Sequence, residues 1–236
     1  LEVPAGGSYD TEAGLKDLII SPEPLHLINP QWHFWDANWW PDWPTSAKKL
    51  MWFYEKSGGP TVDGVVSMTP TVMERFLEAV GEIDMTEEYG VVINADNFLE
   101  TTQFFSEKKP QETLKPKKII GDLLEKIIEE MPARLNRETL IKLTNVFEQS
   151  LAEKHILFYF EDPALQERAE RYGWDGKMKQ TEWDYLSVIN TNIAGGKSDK
   201  KIRETIKHTA EIQADGSITN TLVITREHTG AKFESF

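Results

Sequence analysis

The sequence contains no cysteine, and this absence excludes several kinds of chemistry at once. Disulfide bonds, thiolate metal sites and cysteine nucleophiles all need a sulfur atom that the chain does not have. The absence also suits an exported domain, in which stray thiols would be exposed to oxidation.

Basic residues are few relative to acidic ones. The 236 residues include 26 Lys and Arg against 39 Asp and Glu, a formal net charge of −13. This charge disfavours nucleic acid or an anionic membrane surface as the main partner, because both would repel the protein. We therefore expect no nucleic-acid partner.

Long hydrophobic runs are also missing. No apolar stretch approaches the ~20 residues of a membrane span, and the first residues show neither the basic start nor the apolar core of a signal peptide. Since the sequence opens at Leu1 without a methionine, we expect a processed or excised piece with a membrane anchor upstream.

Hydrophobic patterning predicts alternating helices and strands. Residues 1–44 show no sustained period and are predicted to be irregular. Thr45 or Ser46 can cap a helix that ends at Gly58, and a strand over 61–68 follows. Further strands are predicted at 82–85, 89–93, 155–160 and 183–190, and further helices at 70–81, 94–105, 117–132, 137–153 and 162–173. This pattern favours an α/β fold with a mixed β-sheet flanked by helices.

The end of the chain has a different pattern. Apolar and polar residues alternate over 200–230, and Asp215-Gly216 is a two-residue hairpin signal. We predict an antiparallel β-ribbon there. It either completes a single α/β domain over residues 1–236 or begins a further β-rich region.

The stretch WDANWWPDW, residues 35–43, holds four of the eight tryptophans. Trp35, Trp39, Trp40 and Trp43 form either a buried corner or a surface on which a sugar or lipid stacks. A binding platform must expose one side of its rings to solvent, whereas a core corner buries them, so the exposure of the four tryptophans distinguishes the two interpretations.

The same stretch offers oxygen ligands. Asp36, Asn38 and Asp42 could bind Mg²⁺ or Ca²⁺ if a phosphate supplied further oxygens, although the glycine and glutamate of an EF-hand loop are missing. Alternatively, these side chains cap turns and helices through bonds to backbone amides. His33 lies near Asp36 and is the one histidine of note.

Two longer stretches resemble a known family. They are WDANWWPDWPTSAKKLMWFYEKSGGPTVDGVVSM and DYLSVINTNIAGGKSDKKI, with AEIQADGSI after them. Together they resemble the bacterial extracellular family called domain of unknown function 4012, from about Val3 to Gly230. The resemblance implies a cell-surface domain tethered to the membrane by a segment upstream of this chain.

The region from Ser46 to Met85 is also similar to the LytR-CpsA-Psr family. Its members transfer glycopolymers from polyprenyl pyrophosphate carriers to the cell wall, which implies a mixed sheet between helices and an apolar groove. In this interpretation Asp36 and Asp42 hold Mg²⁺ or act as base, and Lys197 offsets pyrophosphate charge. Asn38 and Asn192 would orient phosphate or sugar oxygens. The family's arginine–aspartate pair is not found in this sequence.

A non-catalytic module that binds cell-wall glycan or a partner protein is therefore the main hypothesis. It uses the four tryptophans as a stacking platform, with polar ligand contacts from Asn38, Asn190, Asn192 and Asp199. The phosphotransferase acting on polyprenyl-linked glycan is the alternative, and a scaffold whose tryptophans are core is the third hypothesis.

Overall fold

A computed structural model describes residues 7–12, 14–107, 117–193 and 199–230. The chain divides into two compact units, Leu1–Tyr185 and Leu186–Phe236. The helices are α1 (Ser8–Glu12), α2 (Trp43–Lys56), α3 (Pro70–Val80), α4 (Thr86–Tyr89), α5 (Phe98–Glu107), α6 (Lys118–Arg134), α7 (Arg137–Ala152) and α8 (Pro163–Tyr172). The strands are β1 (Gly64–Met68), β2 (Ile83–Met85), β3 (Val91–Ile93), β4 (Ile156–Phe160), β5 (Ile202–Ile212) and β6 (Ile218–His228).

Most predicted elements are confirmed, but the start of α2 is not where the sequence pattern placed it. Asp42 caps this helix, and its carboxylate accepts a hydrogen bond from the Thr45 backbone N–H at 3.2 Å. The predicted caps Thr45 and Ser46 therefore lie inside the first turn. The cause is that Pro44, at the second helical position, needs no N–H partner and allows an earlier start.

The single mixed sheet predicted from the sequence is wrong. The strands of the described residues form three two-stranded sheets, β1–β4, β2–β3 and β5–β6, and each sheet is antiparallel. The protein is a mixed α and β structure with small sheets. The pairing of β1 with β4 joins residues far apart in the chain, and local patterning does not determine such a pairing.

The strand predicted over 183–190 is also wrong, because this segment has no strand structure. The second edge of β4 is already used by nearer groups. The Phe158 N–H donates to the Trp174 carbonyl at 2.9 Å, and the Phe160 N–H donates to the Gln166 side chain at 3.0 Å. Because the N–H groups of Phe158 and Phe160 on this edge already have partners, they are not available to pair with a further strand.

The first unit is held by three clusters of buried apolar side chains. One cluster lies between α3, α6 and the β2–β3 pair, one lies between α2 and β4, and one lies beneath the segment before α2. Their fully or nearly buried members are Leu77, Ile83, Met85, Ile93, Ile119, Leu123 and Ile127 in the first, Trp43, Ala47, Met51 and Tyr159 in the second, and Trp32, Ala37 and Phe53 in the third.

The second unit contains the predicted ribbon, which is confirmed. Strands β5 and β6 pair in register from Ile202↔His228 to Ile212↔Ile218. Gly216, at the turn, has φ +85°, a conformation that glycine adopts without strain. Among the helices of the described residues, none has the length and apolar character needed to cross a membrane.

Candidate functional site

Trp35 is the most exposed tryptophan of the WDANWWPDW stretch, at 37 %. It lies in a short 3₁₀ turn, Phe34–Asp36, and its ring stacks on the His33 imidazole with centroids 4.2 Å apart. The Tyr9 ring contacts the Trp35 ring, with the two centroids 4.5 Å apart. The His33 ring in turn bonds the Glu12 carboxylate at 2.5 Å, so α1 holds this small aromatic stack in place.

The other three tryptophans of the stretch pack inward. Trp39 and Trp40 are half-buried against the cluster of Trp32 and Phe53, and Trp43 is only 4 % exposed. Ser46 anchors this corner because its hydroxyl bonds both the N–H and the carbonyl of Trp40. The four rings therefore do not share one wet face, and the stretch is largely a core corner at the start of α2.

Asp36 lies in a different environment from Asp42. Burial raises the pKa of the Asp36 carboxyl above its ordinary value; the nearby His33 opposes this shift, and the Glu12 charge adds to it. The folded protein consequently disfavours the charged form of Asp36.

Both carboxylate oxygens of Asp42 bind backbone amides. One oxygen accepts from Thr45 at the start of α2, and the other accepts from the Met178 N–H at 2.9 Å. Although burial by itself raises the Asp42 pKa, hydrogen bonds from the Thr45 side chain, Met178 and the Thr45 backbone lower it below its ordinary value. Asp42 therefore joins the start of α2 to the segment after α8.

The sequence predicted that Asp36 and Asp42 bind a divalent cation. Within the described ranges, no three His, Asp or Glu residues are grouped so that they could hold a metal ion. Asn38 is exposed. Mg²⁺ bound by Asp36 and Asp42 stays a prediction.

The remaining predicted site residues belong to the second unit; they are Asn190, Asn192, Lys197 and Asp199. Asn192 donates to the Asp199 carboxylate at 2.7 Å, and Asn190 donates to Glu204 on β5 at 3.0 Å. The side-chain amides of Asn190 and Asn192 therefore already donate hydrogen bonds to carboxylates of the second unit. Lys197 lies outside the described residues.

An open cleft of about 1240 Å³ lies beside Asp42, between the end of α8 and the segment that follows it. We call it the Asp175 cleft. Its lining residues are Asp42, Lys154, Glu170, Gly173, Asp175, Gly176, Lys177, Met178, Lys179, Gln180, Thr181 and Tyr185.

Asp175 is the unusual member of this lining. It is only 4 % exposed, and its Oδ2 atom is buried with no hydrogen-bond partner among the described residues. An unpaired carboxylate oxygen in such a place costs free energy until a donor reaches it.

Trp43 supplies the complementary group next to the same turn. Its backbone N–H donates to the Gly176 carbonyl, and its indole N–H is buried with no partner within the described part of the chain. An unpaired donor and an unpaired acceptor thus lie on residues that meet at Gly176. A hydroxyl group both donates and accepts, and so has the chemistry to satisfy groups of either kind.

The charges of the cleft balance. Three lysines face three carboxylates, and two of the lysines are engaged: Lys154 binds the Gly173 carbonyl, and Lys177 pairs with Glu170. The hydrogen bond and charge of Glu170 raise the pKa of Lys177 above its ordinary value. The cleft consequently has no net positive field for a strongly anionic ligand.

Sequence reasoning missed Asp175. The available signal was Asp175-Gly176, a turn dipeptide directly after the α8 stop at Gly173, but a turn aspartate is ordinarily solvated. Only the packing of Gly176 against Trp43 and Leu157 reveals that this turn is pressed into the core.

Comparison with known proteins gives one family match. Residues 15–104 match the model of the family described as "Protein of unknown function (DUF4012)". The match supports the resemblance over the tryptophan stretch and α2 to α5, and most of the Asp175 cleft lies beyond it. No curated protein and no solved structure matches the chain.

Proposed function

We propose that this protein is a non-catalytic binding module of the bacterial cell envelope, and that the Asp175 cleft takes a glycan. The observation that supports the proposal is Asp175, a residue of the cleft lining whose buried Oδ2 atom lacks a hydrogen-bond donor among the described residues. A sugar hydroxyl is a donor of suitable size and carries no charge that the balanced cleft would oppose.

The rest of the lining suits the same ligand class. Gln180 and Thr181 provide an amide and a hydroxyl, and the half-exposed ring of Tyr185 can stack on the apolar face of a sugar. A few polar groups beside an aromatic ring are typical of small-molecule sites.

Phosphotransfer from a polyprenyl pyrophosphate carrier is less well supported by this geometry. A pyrophosphate needs several cations, whereas the cleft's lysines are balanced by carboxylates and two of them are engaged. The LytR-CpsA-Psr resemblance alone carries that alternative.

We also propose a location outside the cell, on a membrane tether upstream of this chain. The absence of cysteine from the sequence and the match over residues 15–104 support this proposal. Surface labelling of intact cells that express the full-length protein with an epitope tag would test it.

The binding proposal is tested with a soluble tetramer of N-acetylglucosamine as the probe of cell-wall glycan. Calorimetry with the purified chain should give saturable binding. Asp175→Asn keeps the shape of the side chain and should weaken binding about 10-fold, which corresponds to about 1.4 kcal/mol. Tyr185→Ala should weaken it by a similar factor, because the ring lines the cleft.

Matched controls come from nearby residues. Trp183 is 84 % exposed and lies two residues before Tyr185, outside the cleft lining, so Trp183→Ala should leave binding unchanged. Trp35→Ala tests whether the aromatic stack of Tyr9, His33 and Trp35 binds the glycan instead. Loss of binding in Trp35→Ala with none in the cleft variants would contradict the cleft assignment. Binding of a short-chain polyprenyl pyrophosphate, dependent on magnesium and on Asp36, would favour the transferase.

A further inference from the structure

The ribbon formed by β5 and β6 has two chemically different faces. Because side chains alternate along a strand and paired residues share a face, the register assigns each pair to one face. The face that we call the apolar face carries the pairs Ile202↔His228, Glu204↔Arg226, Ile206↔Ile224, His208↔Leu222, Ala210↔Asn220 and Ile212↔Ile218. The opposite face carries Arg203↔Glu227, Thr205↔Thr225, Lys207↔Val223, Thr209↔Thr221 and Glu211↔Thr219.

The apolar face is exposed. Apart from the half-buried Ile202, its large apolar side chains range from 39 % exposed at Leu222 to 78 % at Ile212. A two-stranded hairpin is marginally stable in water at best, and further strands or a covering surface are needed for stability. An exposed apolar stripe of this length usually marks an interaction site.

Charge indicates what kind of surface can cover this face. The chain as a whole carries −13, but Ile202–His228 contains three basic and four acidic residues. An ion pair on the apolar face joins two residues of the ribbon itself, Arg226 and Glu204, at 3.2 Å. The ribbon is therefore a nearly neutral surface at which two copies of this acidic chain could meet with little repulsion.

We propose that the ribbon is a self-association surface, and that two copies pack their apolar faces together about a twofold axis. In an antiparallel arrangement the central residues Ile206, Leu222 and Ile224 of each copy meet their equivalents. The Glu204–Arg226 pair of each copy then lies at the rim, beside the tip of the other ribbon. This makes a four-stranded sandwich, which closes symmetrically because the contact is the same on both copies.

Sedimentation of the full chain tests the proposal. Between about 1 and 300 µM the apparent mass should rise from 27.1 kDa toward twice that value, which corresponds to a dissociation constant in the micromolar range. Leu222→Lys places a charge at the centre of the face and should raise the dissociation constant at least ~10-fold. The double variant Leu222→Thr with Ile224→Thr keeps strand-forming residues and should weaken association in the same direction.

The control is one residue away. Thr221→Lys adds the same charge on the opposite face of the same strand and should leave association unchanged. The proposal is overturned if the chain stays monomeric over this range, or if Thr221→Lys dissociates the dimer as strongly as Leu222→Lys. A monomer whose ribbon amides resist hydrogen exchange would also overturn it, because another surface of the same chain would then cover the face.

Discussion

Asp36 and Asp42 lie six positions apart in the sequence, yet their environments differ, so residue type alone does not determine the role of either side chain. Asp42 accepts backbone hydrogen bonds that stabilise its charged form, whereas burial of Asp36 disfavours its charge. The same side chain thus has its pKa shifted in opposite directions within one tryptophan-rich stretch. This difference follows from the donors that each carboxylate meets.

Asp36→Asn should stabilise the protein at neutral pH. A folded-state pKa above the unfolded value means that the folded state favours the protonated form, so stability is lost as pH rises through the two pKa values. The variant removes this cost at pH 7 and gives no advantage well below the ordinary aspartate pKa. Urea unfolding at the two pH values measures the difference.

Asp17→Asn is the matched control, because it removes a charge from an exposed position. Its effect should stay within ~0.5 kcal/mol. If Asp36→Asn instead destabilises the protein at pH 7, and if magnesium stabilises only the wild type, Asp36 belongs to a cation site after all.

At the scale of elements, the turn after α8 ties three parts of the first unit together. Trp174 bonds β4, Gly176 accepts from Trp43 at the start of α2, and Met178 bonds the cap Asp42. The segment after α8 therefore occupies the edge of β4 at which the strand predicted over 183–190 would have paired.

Gly176→Ala should destabilise the first unit strongly. Gly176 has φ +58°, and an added Cβ would lie 2.8 Å from Leu157 Cδ1 and 3.0 Å from Trp43 Cβ. Positive φ costs a non-glycine residue ~1–2 kcal/mol, and overpacking adds ~1–3 kcal/mol. Urea unfolding followed by tryptophan fluorescence would measure the loss.

Gly58→Ala separates strain from packing. Gly58 also has positive φ, +95°, but an added Cβ would have no neighbour within 4 Å. This control should lose only the ~1–2 kcal/mol of backbone strain. Equal losses in the two variants would mean that the tight approach of Gly176 to Trp43 and Leu157 does not exist in solution.

At the scale of the whole molecule, the three buried clusters all draw their members from the first unit. The fragment 1–185 should therefore fold cooperatively by itself, with a melting temperature within a few degrees of the full chain's. Calorimetry would check this. If residues 1–236 instead form a single cooperative domain, fragment 1–185 should lose its cooperative thermal unfolding transition.

A shorter fragment provides the control. Truncation after Phe160 removes α8 and the Asp175–Gly176 turn, together with the Trp174 and Gln166 groups that satisfy β4. This fragment should lose the cooperative transition. If it melts like fragment 1–185, the turn after α8 contributes little to the fold.

The helices were predictable because their apolar spacing is a local property. Ile119, Leu123 and Ile127 recur every four residues, and all three are buried on one side of α6. The β5–β6 ribbon was predictable for the same reason, since its alternation and the Asp215-Gly216 turn lie within one short stretch.

Sheet direction and the candidate site were not predictable in this way. The register of β1 with β4 joins residues about ninety positions apart, and Gly176, next to Asp175, packs against Trp43, which is far away in the chain. Each arrangement arises when distant side chains compete for the same space and the same hydrogen bonds.

By itself, the sequence determined the absence of thiol chemistry, the acidic surface, the helices and the ribbon, because composition and short-range periodicity suffice for these. Only the tertiary structure decided that Trp43 is core, that Asp42 caps α2, and that Asp175, in the cleft lining, has a buried carboxylate oxygen without a partner among the described residues. The physical reason is that burial and hydrogen-bond satisfaction belong to the packed chain, whereas periodicity belongs to its segments.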